Sequence, residues 1–229
     1  MDYQLNKGGA LFYGIMLGDG CLSHHQSKDG QDYFFISITC SYRDDQEFMK
    51  EILLPLTIKL REKNVNIKQR PEKGTVELNF TDKRLFQKIK GLNFPVGKKG
   101  PELAIPKVFY EQRLLKEIVQ GFFATDGSLV ITKNPNKVYP RIEAHVIHRK
   151  LIEQIHQYLT DLGMQGHVYK CKRNNQRWKK EQDQYRFQFN SKKNLLLFRE
   201  LIGFVNPKHQ RKFLEYMAAP GIEPGTPSS

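Results

Sequence analysis

The chain has 229 residues, with 37 lysines and arginines against 24 aspartates and glutamates, a net charge of +13. This excess predicts a polyanionic partner. There is no apolar run long enough to span a membrane and no signal peptide, which argues against a membrane protein. We therefore expect a soluble intracellular protein, in the cytoplasm or nucleoid, or in an organelle if the source is eukaryotic. Three scattered cysteines show neither disulfide nor zinc spacing.

The first part of the chain predicts the order helix, two strands, helix, two strands, helix. The predicted helices cover residues 8–18, 44–63 and 83–90, and the strands cover 21–27, 33–41, 65–70 and 75–81. Apolar and polar side chains alternate along 33–41, which predicts a sheet with one packed face and one face free for a ligand. Pro55 is expected to kink the second helix.

The second part of the chain repeats this order after a Gly/Pro-rich linker. Its predicted helices are a motif helix from about residue 112, then 149–162, 192–202 and 208–217, and its strands are 128–133, 139–147, 165–173 and 184–190. The sequence thus predicts an α+β protein with two pseudo-symmetric αββαββα halves, each containing an antiparallel sheet. We assign the halves to residues 1–92 and 112–218, the linker to 93–111 and a disordered tail to 219–229.

One short motif occurs once in each half, as Gly14-Ile-Met-Leu-Gly-Asp-Gly20 and Gly121-Phe-Phe-Ala-Thr-Asp-Gly127. Each copy places small residues four positions apart, hence on one helical face, which allows two helices to pack closely. Asp19 and Asp126 would then lie near each other, each at the unfavourable end of its helix dipole. Two close carboxylates repel unless one is protonated or a divalent cation lies between them. We interpret them as cation ligands.

These two motifs resemble those of single-chain, intron-encoded LAGLIDADG homing endonucleases, and the resemblance extends over nearly all of the chain except about the last ten residues. It implies a site-specific endonuclease that hydrolyses both strands of DNA by metal-activated water across the minor groove, leaving 3′ extensions. It also implies a monomer with internal pseudo-two-fold symmetry and a long, near-asymmetric target. The implied cofactor is Mg²⁺, with Mn²⁺ as a substitute, and no membrane is involved.

The resemblance also implies roles for particular residues. The expected metal site comprises Asp19, Asp126, Gly18 and Thr125. Threonine at position 125 departs from the glycine or alanine that is common in the second motif, but it is small enough for close packing. The expected catalytic lysines are Lys98 and Lys208, with Lys99 as the alternate to Lys98. Two residues that follow strands are expected to order water, namely Tyr42 and His148.

The strand 184–190 best illustrates the predicted DNA-binding faces. Tyr185, Phe187 and Phe189 alternate with polar residues that include arginine, glutamine and asparagine, the side chains able to form paired hydrogen bonds to purine edges. Lysines would add phosphate contacts. The candidate DNA-contacting residues are Lys68, Arg70, Asn79, Arg141, His145, Lys170, Lys172, Arg173, Arg177, Lys179, Gln184, Arg186, Gln188 and Asn190. Trp178 is expected to anchor a loop.

Other functions of the same sequence remain open. A non-cleaving nucleic-acid-binding protein of this fold, such as an RNA maturase that binds intron RNA, is the main alternative, although both aspartates favour cleavage. An intein fragment is disfavoured because flanking splicing residues are absent, and a regulatory domain would have no use for paired Asp-Gly motifs. His24 and His25 are not expected to share a metal, because adjacent strand residues point to opposite faces.

Overall fold

The computed structural model describes residues 5–134, 137–175 and 180–219. The first half contains α1 (Lys7–Asp19), β1 (Gly20–Gln26), β2 (Asp32–Ser41), a π-helical segment (Phe48–Leu53) continuing into α2 (Leu54–Arg61), β3 (Ile67–Arg70), β4 (Thr75–Thr81) and α3 (Lys83–Gly91). The connecting region contains α4 (Lys107–Glu111). The second half contains α5 (Leu115–Thr125), β5 (Gly127–Asn134), β6 (Lys137–Val146), α6 (Arg149–Asp161), β7 (His167–Asn175), β8 (Lys180–Asn190), α7 (Lys192–Leu201) and α8 (Pro207–Ala218).

The two halves have the same sheet topology. The strand orders are β1-β2-β4-β3 and β5-β6-β8-β7, and every neighbouring pair is antiparallel. This arrangement confirms the predicted α+β fold with repeated αββαββα order. The alternation along β2 is also as predicted, because Ile36 and Ile38 are fully buried while Thr39 is exposed.

Helix α1 is buried along most of its length. Its residues from Phe12 to Leu17 are almost inaccessible to solvent, and they form part of one continuous core with the apolar faces of both sheets. Asn6 caps the start of α1 by accepting a 2.9 Å hydrogen bond from the backbone N–H of Gly9. A helix that is apolar on all sides must lie inside the protein, and here α5 covers one of those sides.

Two predicted helices differ from expectation. The helix of 44–63 is π-helical over Phe48–Leu53. Pro55 lies just beyond and has no N–H to donate to the carbonyl four residues earlier, so the helical turn is loosened where a kink was expected. The second motif helix begins at Leu115 rather than near 112, because Arg113 adopts a left-handed backbone (φ 55°) that separates α4 from α5.

Most of the predicted tail, residues 220–229, lies outside the described residues. Within the described ranges, no helix combines the length and the apolarity needed to cross a membrane.

Candidate active site between the two motif helices

The two motif helices pack backbone against backbone. A Cβ atom added at Gly14 would lie 2.2 Å from the carbonyl oxygen of Ile118, and one at Gly121 would lie 2.2 Å from the carbonyl oxygen of Leu11. At Gly18 the added atom would lie 2.0 Å from the Oγ1 of Thr125. These distances are far below van der Waals contact, so the small residues are required by the helix crossing. The sequence motif predicted this contact.

The crossing brings the two motif aspartates together at the ends of their helices. Asp19 is the last residue of α1, and Asp126 caps the C-terminus of α5. Burial and the charge of Asp126 raise the pKa of Asp19 to about 6, and burial likewise raises the pKa of Asp126. Cys40, buried on β2, hydrogen-bonds Asp19. The result is a half-buried pair of carboxylates whose ionised forms need additional positive charge.

Lys99 supplies part of that charge. Its ammonium donates hydrogen bonds to the carbonyl oxygen of Leu17 (3.1 Å) and to that of Gly18, at the C-terminus of α1. The aspartate charges act to raise the pKa of Lys99, but burial prevails and lowers it. Lys98, our first choice from sequence, is exposed to solvent instead. The loop places the alternate lysine beside the aspartates because consecutive side chains leave the backbone in different directions.

Lys208 approaches the aspartates from the second half. It lies in the first turn of α8, and its charge acts on Asp126. Its ammonium is 2.8 Å from Oδ1 of Asp45, a carboxylate of the first half. A solvent-accessible cavity of about 330 Å³ adjoins Lys208 and is lined by Arg43, Asp44, Gly127, Ser128, His209, Arg211 and Lys212. This basic cavity is wide enough for a phosphate group.

Asp45 and Asn206 were not singled out by the sequence reasoning. Asp45 is 6% exposed and Asn206 is 1% exposed, and the amide of Asn206 donates to the Asp45 carboxylate (2.7 Å) and to the carbonyl oxygen of Ala124 (2.8 Å). The only sequence signal was that each lies near the predicted start of a helix, which is typical of a capping residue.

The two predicted water-ordering residues lie in different surroundings. His148 is buried, and its Nδ1 donates a 2.7 Å hydrogen bond to the carbonyl oxygen of Gly100, one residue beyond Lys99. Burial lowers the pKa of His148, which favours the neutral imidazole. Tyr42 is half-buried, and its backbone N–H bonds Gly74. It is Asp45, three residues later, that contacts the opposite half, through Asn206 and Lys208.

The oxygen atoms at this site fit a hard divalent cation. The two half-buried carboxylates repel each other when both are ionised, and Mg²⁺ prefers oxygen ligands. Among the described residues, no three histidine, cysteine or acidic side chains cluster as metal ligands, so further coordination would come from carbonyls, water or substrate. Of the other two residues expected in the metal site, Gly18 accepts a hydrogen bond from Lys99 through its carbonyl oxygen, and Thr125 lies directly against Gly18.

The polar face of the first sheet carries a hydrogen-bonded cluster around Glu77. Its carboxylate accepts from Nε of Arg70 (3.0 Å) and from the amide of Asn79 (3.1 Å). Lys68 pairs opposite Glu77 in the sheet and is exposed. The face therefore presents the predicted Lys68, Arg70 and Asn79 together, with their positions constrained by one acid.

The second sheet has an equivalent cluster around Glu143. Arg141 lies 2.7 Å from its carboxylate and the amide of Gln188 donates to it at 3.0 Å. His145 contacts Cys171 (2.9 Å), and the guanidinium of Arg186 lies 5.6 Å from the ring centre of Tyr169. Asn190 is exposed on this face, whereas Gln184 is 8% exposed.

The strand register separates two predicted DNA contacts from this face. Lys170 pairs opposite Tyr185 and Lys172 opposite Asp183, so both lie on the face away from Arg186. Each forms an ion pair at 2.8 Å, with Asp183 and Glu181 respectively. Arg173 pairs opposite Gln182 in the sheet, but its side chain is not described. Arg177, Trp178 and Lys179 lie outside the described residues.

Comparisons with known proteins agree with this architecture. Residues 114–203 match the LAGLIDADG-like domain family. The chain is 25% identical over 208 residues to a probable translation initiation factor IF-2 of Methanocaldococcus jannaschii, covering 88% of this chain and 15% of that protein. It is 25% identical over 174 residues to an uncharacterized protein of the same organism, covering 75% of this chain and 61% of the relative. The chain thus spans less than two thirds of either relative.

Similar solved structures cover both halves. The homing endonuclease I-DmoI in complex with DNA and Ca aligns with a TM-score of 0.60 at 17% identity, over 92% of this chain and 97% of that one. The I-LtrWI LAGLIDADG homing endonuclease bound to target DNA aligns with a TM-score of 0.59 at 15% identity, over 92% and 90% of the two chains. At such identities the likeness establishes the fold. The chain therefore has the two-domain fold of these structures, and the family match itself lies in the second half.

Proposed function

We propose that this protein is a site-specific, divalent-metal-dependent endonuclease that cuts both strands of a long, near-asymmetric DNA target and acts as a monomer in intron homing. The observation that carries the proposal is the convergence of Asp19 and Asp126 at the crossing of α1 and α5, with Lys99 of the connecting region and Lys208 of the second half beside them. In the part of the chain that the structure describes, no paired nucleophile and base accompany them, so hydrolysis by water is the fitting chemistry.

Each residue of the site has a separate role in cleavage. Asp19 and Asp126 would hold the cation, with Gly18 and Thr125 as the further residues of its site. Bound Mg²⁺ supplies a more acidic water and neutralises charge at the phosphate. Lys99 and Lys208 place positive charges where charge develops on the reacting phosphates, one for each strand. His148, neutral and fixed by Gly100, orients water near Lys99.

The two sheets recognise the target. Their polar faces present arginine, glutamine, asparagine and histidine side chains suited to base edges in the major groove. Cleavage then falls across the intervening minor groove and leaves 3′ extensions. The net charge of +13 supports binding to the phosphate backbone, which makes the affinity strongly salt-dependent.

A cleavage-site selection tests the proposal. Purified protein is incubated with a library of randomised and intron-insertion-site DNA, with Mg²⁺, with Mn²⁺ and with a chelator. We expect a defined double-strand cut that requires the metal. Asp19→Asn and Asp126→Asn should abolish cutting and retain DNA binding, whereas the exposed Asp29→Asn serves as an unaffected control. Specific binding without any cut would instead indicate a non-cleaving nucleic-acid-binding protein of this fold, such as a maturase.

A further inference from the structure

The two lysines beside the aspartates are held by different kinds of partner. The hydrogen bonds of the Lys99 ammonium among the described residues go to neutral backbone oxygens, those of Met16, Leu17 and Gly18. Its carboxylate neighbours are Asp19 and Asp126, and in the described parts of the chain it has no ion pair of its own. A cation bound by the two aspartates would therefore leave the positive charge of Lys99 without an opposing carboxylate.

Lys208, by contrast, has a carboxylate to itself. Its ammonium lies 2.8 Å from Asp45, and the side chains of the pair are 24% and 8% exposed. In this half-buried setting the attraction is less screened than on the surface. The carboxylate that neutralises Lys208 belongs to neither motif, so a cation at Asp19 and Asp126 would leave the ion pair in place.

Asp45 is also fixed from several directions. The amide of Asn206 donates to its Oδ1 at 2.7 Å, and the backbone N–H of Ser41 reaches its other oxygen at 3.3 Å. Asn206 in turn donates to the carbonyl oxygen of Ala124, within the second motif, and its own Oδ1 accepts from the backbone N–H of Lys208. This network links the first half to the start of α8 and leaves Lys208 little freedom to move.

We propose that Asp45 is a positioning residue that makes the two strand-cutting pockets unequal. It anchors Lys208 and offsets its charge, whereas Lys99 has no equivalent partner. The strand served by Lys99 is therefore cut first, and the strand served by Lys208 is cut more slowly, through a nicked intermediate. This inference rests on the proposed endonuclease function and adds an order of cutting to it.

Strand-specific kinetics test the order. The target duplex is labelled at each 5′ end in turn, and the two nicking rates are measured in Mg²⁺ for the full chain. Lys99→Met and Lys208→Met assign the strands, since each should slow mainly one of them. The strand whose nicking is slowed by Lys208→Met should be the strand that the wild-type protein cuts more slowly. If it is the faster one, or if the two strands are cut at equal rates, the inference is wrong.

Asp45→Asn tests the cause. Removing the charge while keeping a hydrogen-bonding side chain should speed the Lys208 strand about tenfold, the effect of roughly 1.4 kcal/mol on a barrier. The Lys99 strand should change less than about twofold, since its lysine keeps its contacts. A purely structural role would slow both strands together and leave their ratio unchanged, which would overturn the inference. Asp45→Ser provides a second removal of the charge if the asparagine variant folds poorly.

Glu47→Gln is the matched control. Glu47 forms another ion pair between the halves, with Arg211, but neither group acts on the motif aspartates. Glu47→Gln should leave the ratio of the two nicking rates unchanged. A shift of this ratio as large as the one caused by Asp45→Asn would contradict a specific role for Asp45. A wild-type protein that cuts neither strand would refute the proposed function itself, whereas equal cutting of both strands would refute only the order.

Discussion

Gly14→Ala tests whether the close crossing of α1 and α5 is what holds the aspartates together. The added Cβ would lie 2.2 Å from the carbonyl oxygen of Ile118 and 3.0 Å from its Cα. Normal contact is about 3.5 Å, so the helices must separate by roughly 1 Å. The obstructing atoms belong to the backbone of a buried helix and cannot rotate away, unlike the end of a flexible side chain.

The expected change in folding stability for Gly14→Ala follows from two opposing effects. In an open helix, alanine is favoured over glycine by about 1 kcal/mol. At Gly14 this gain is outweighed by overpacking, which costs about 1–3 kcal/mol in well-packed cores and more where backbone must move. Gly8, in the first turn of the same helix, is the control, because an added Cβ there meets only side-chain atoms at 3.4 and 3.5 Å.

Urea denaturation followed by circular dichroism compares the two variants. We expect Gly8→Ala to match or slightly exceed the wild-type free energy of unfolding. Gly14→Ala should fall below Gly8→Ala by about 2–4 kcal/mol and lose DNA cleavage as the carboxylates separate. Equal stability of the two variants, with cleavage intact in both, would show that the helices do not cross as closely as the structure places them.

Three further predictions concern the site and the DNA-binding face. Lys99→Met should lower the cleavage rate at least about a hundredfold, while Lys98→Met, at an exposed lysine, should not. Equal losses of cleavage rate in the two variants would contradict a specific role for Lys99. Because the folded state keeps a proton on Asp19 that the unfolded chain releases, stability without metal should fall as pH rises from about 4 to about 6. Stabilisation by Mg²⁺ in thermal melts should therefore be larger at pH 7.5 than at pH 5, a difference that Asp19→Asn should remove. Arg186→Ala should relax base preference by roughly 1–3 kcal/mol at a few target positions, whereas Lys170→Ala, on the other face, should leave the preference unchanged in a binding selection.

The main features of the fold and the centre of the site could be predicted from local sequence alone. Alternation along β2 and β8 identified buried and free faces, because side chains on a strand point alternately to its two sides. The spacing of Gly14 and Gly18 identified the helix face that meets α5, because a side chain there would block the approach. Both signals depend on a few neighbouring residues.

Finer placement depended on the tertiary structure. Lys98 and Lys99 are adjacent in a loop, and the backbone after Gly97 (φ 86°) decides which of them turns inward. Lys170 and Lys172 were expected on the DNA-binding face, but the register of β7 against β8 places them opposite it. A shift of one residue reverses the face of every side chain, and composition alone does not reveal the register.

By itself, the sequence determined that two similar halves meet through paired glycine-rich helices ending in aspartate. It could not determine that Asp45 joins Asn206 and Lys208, because Asp45 and Asn206 are 161 residues apart and meet only after both halves have folded. Periodicity and motifs record the local constraints of helices and strands, whereas a polar contact between halves depends on the relative position of their backbones. The surroundings of the two lysines, and hence the proposed order of cutting, are therefore decided by tertiary structure.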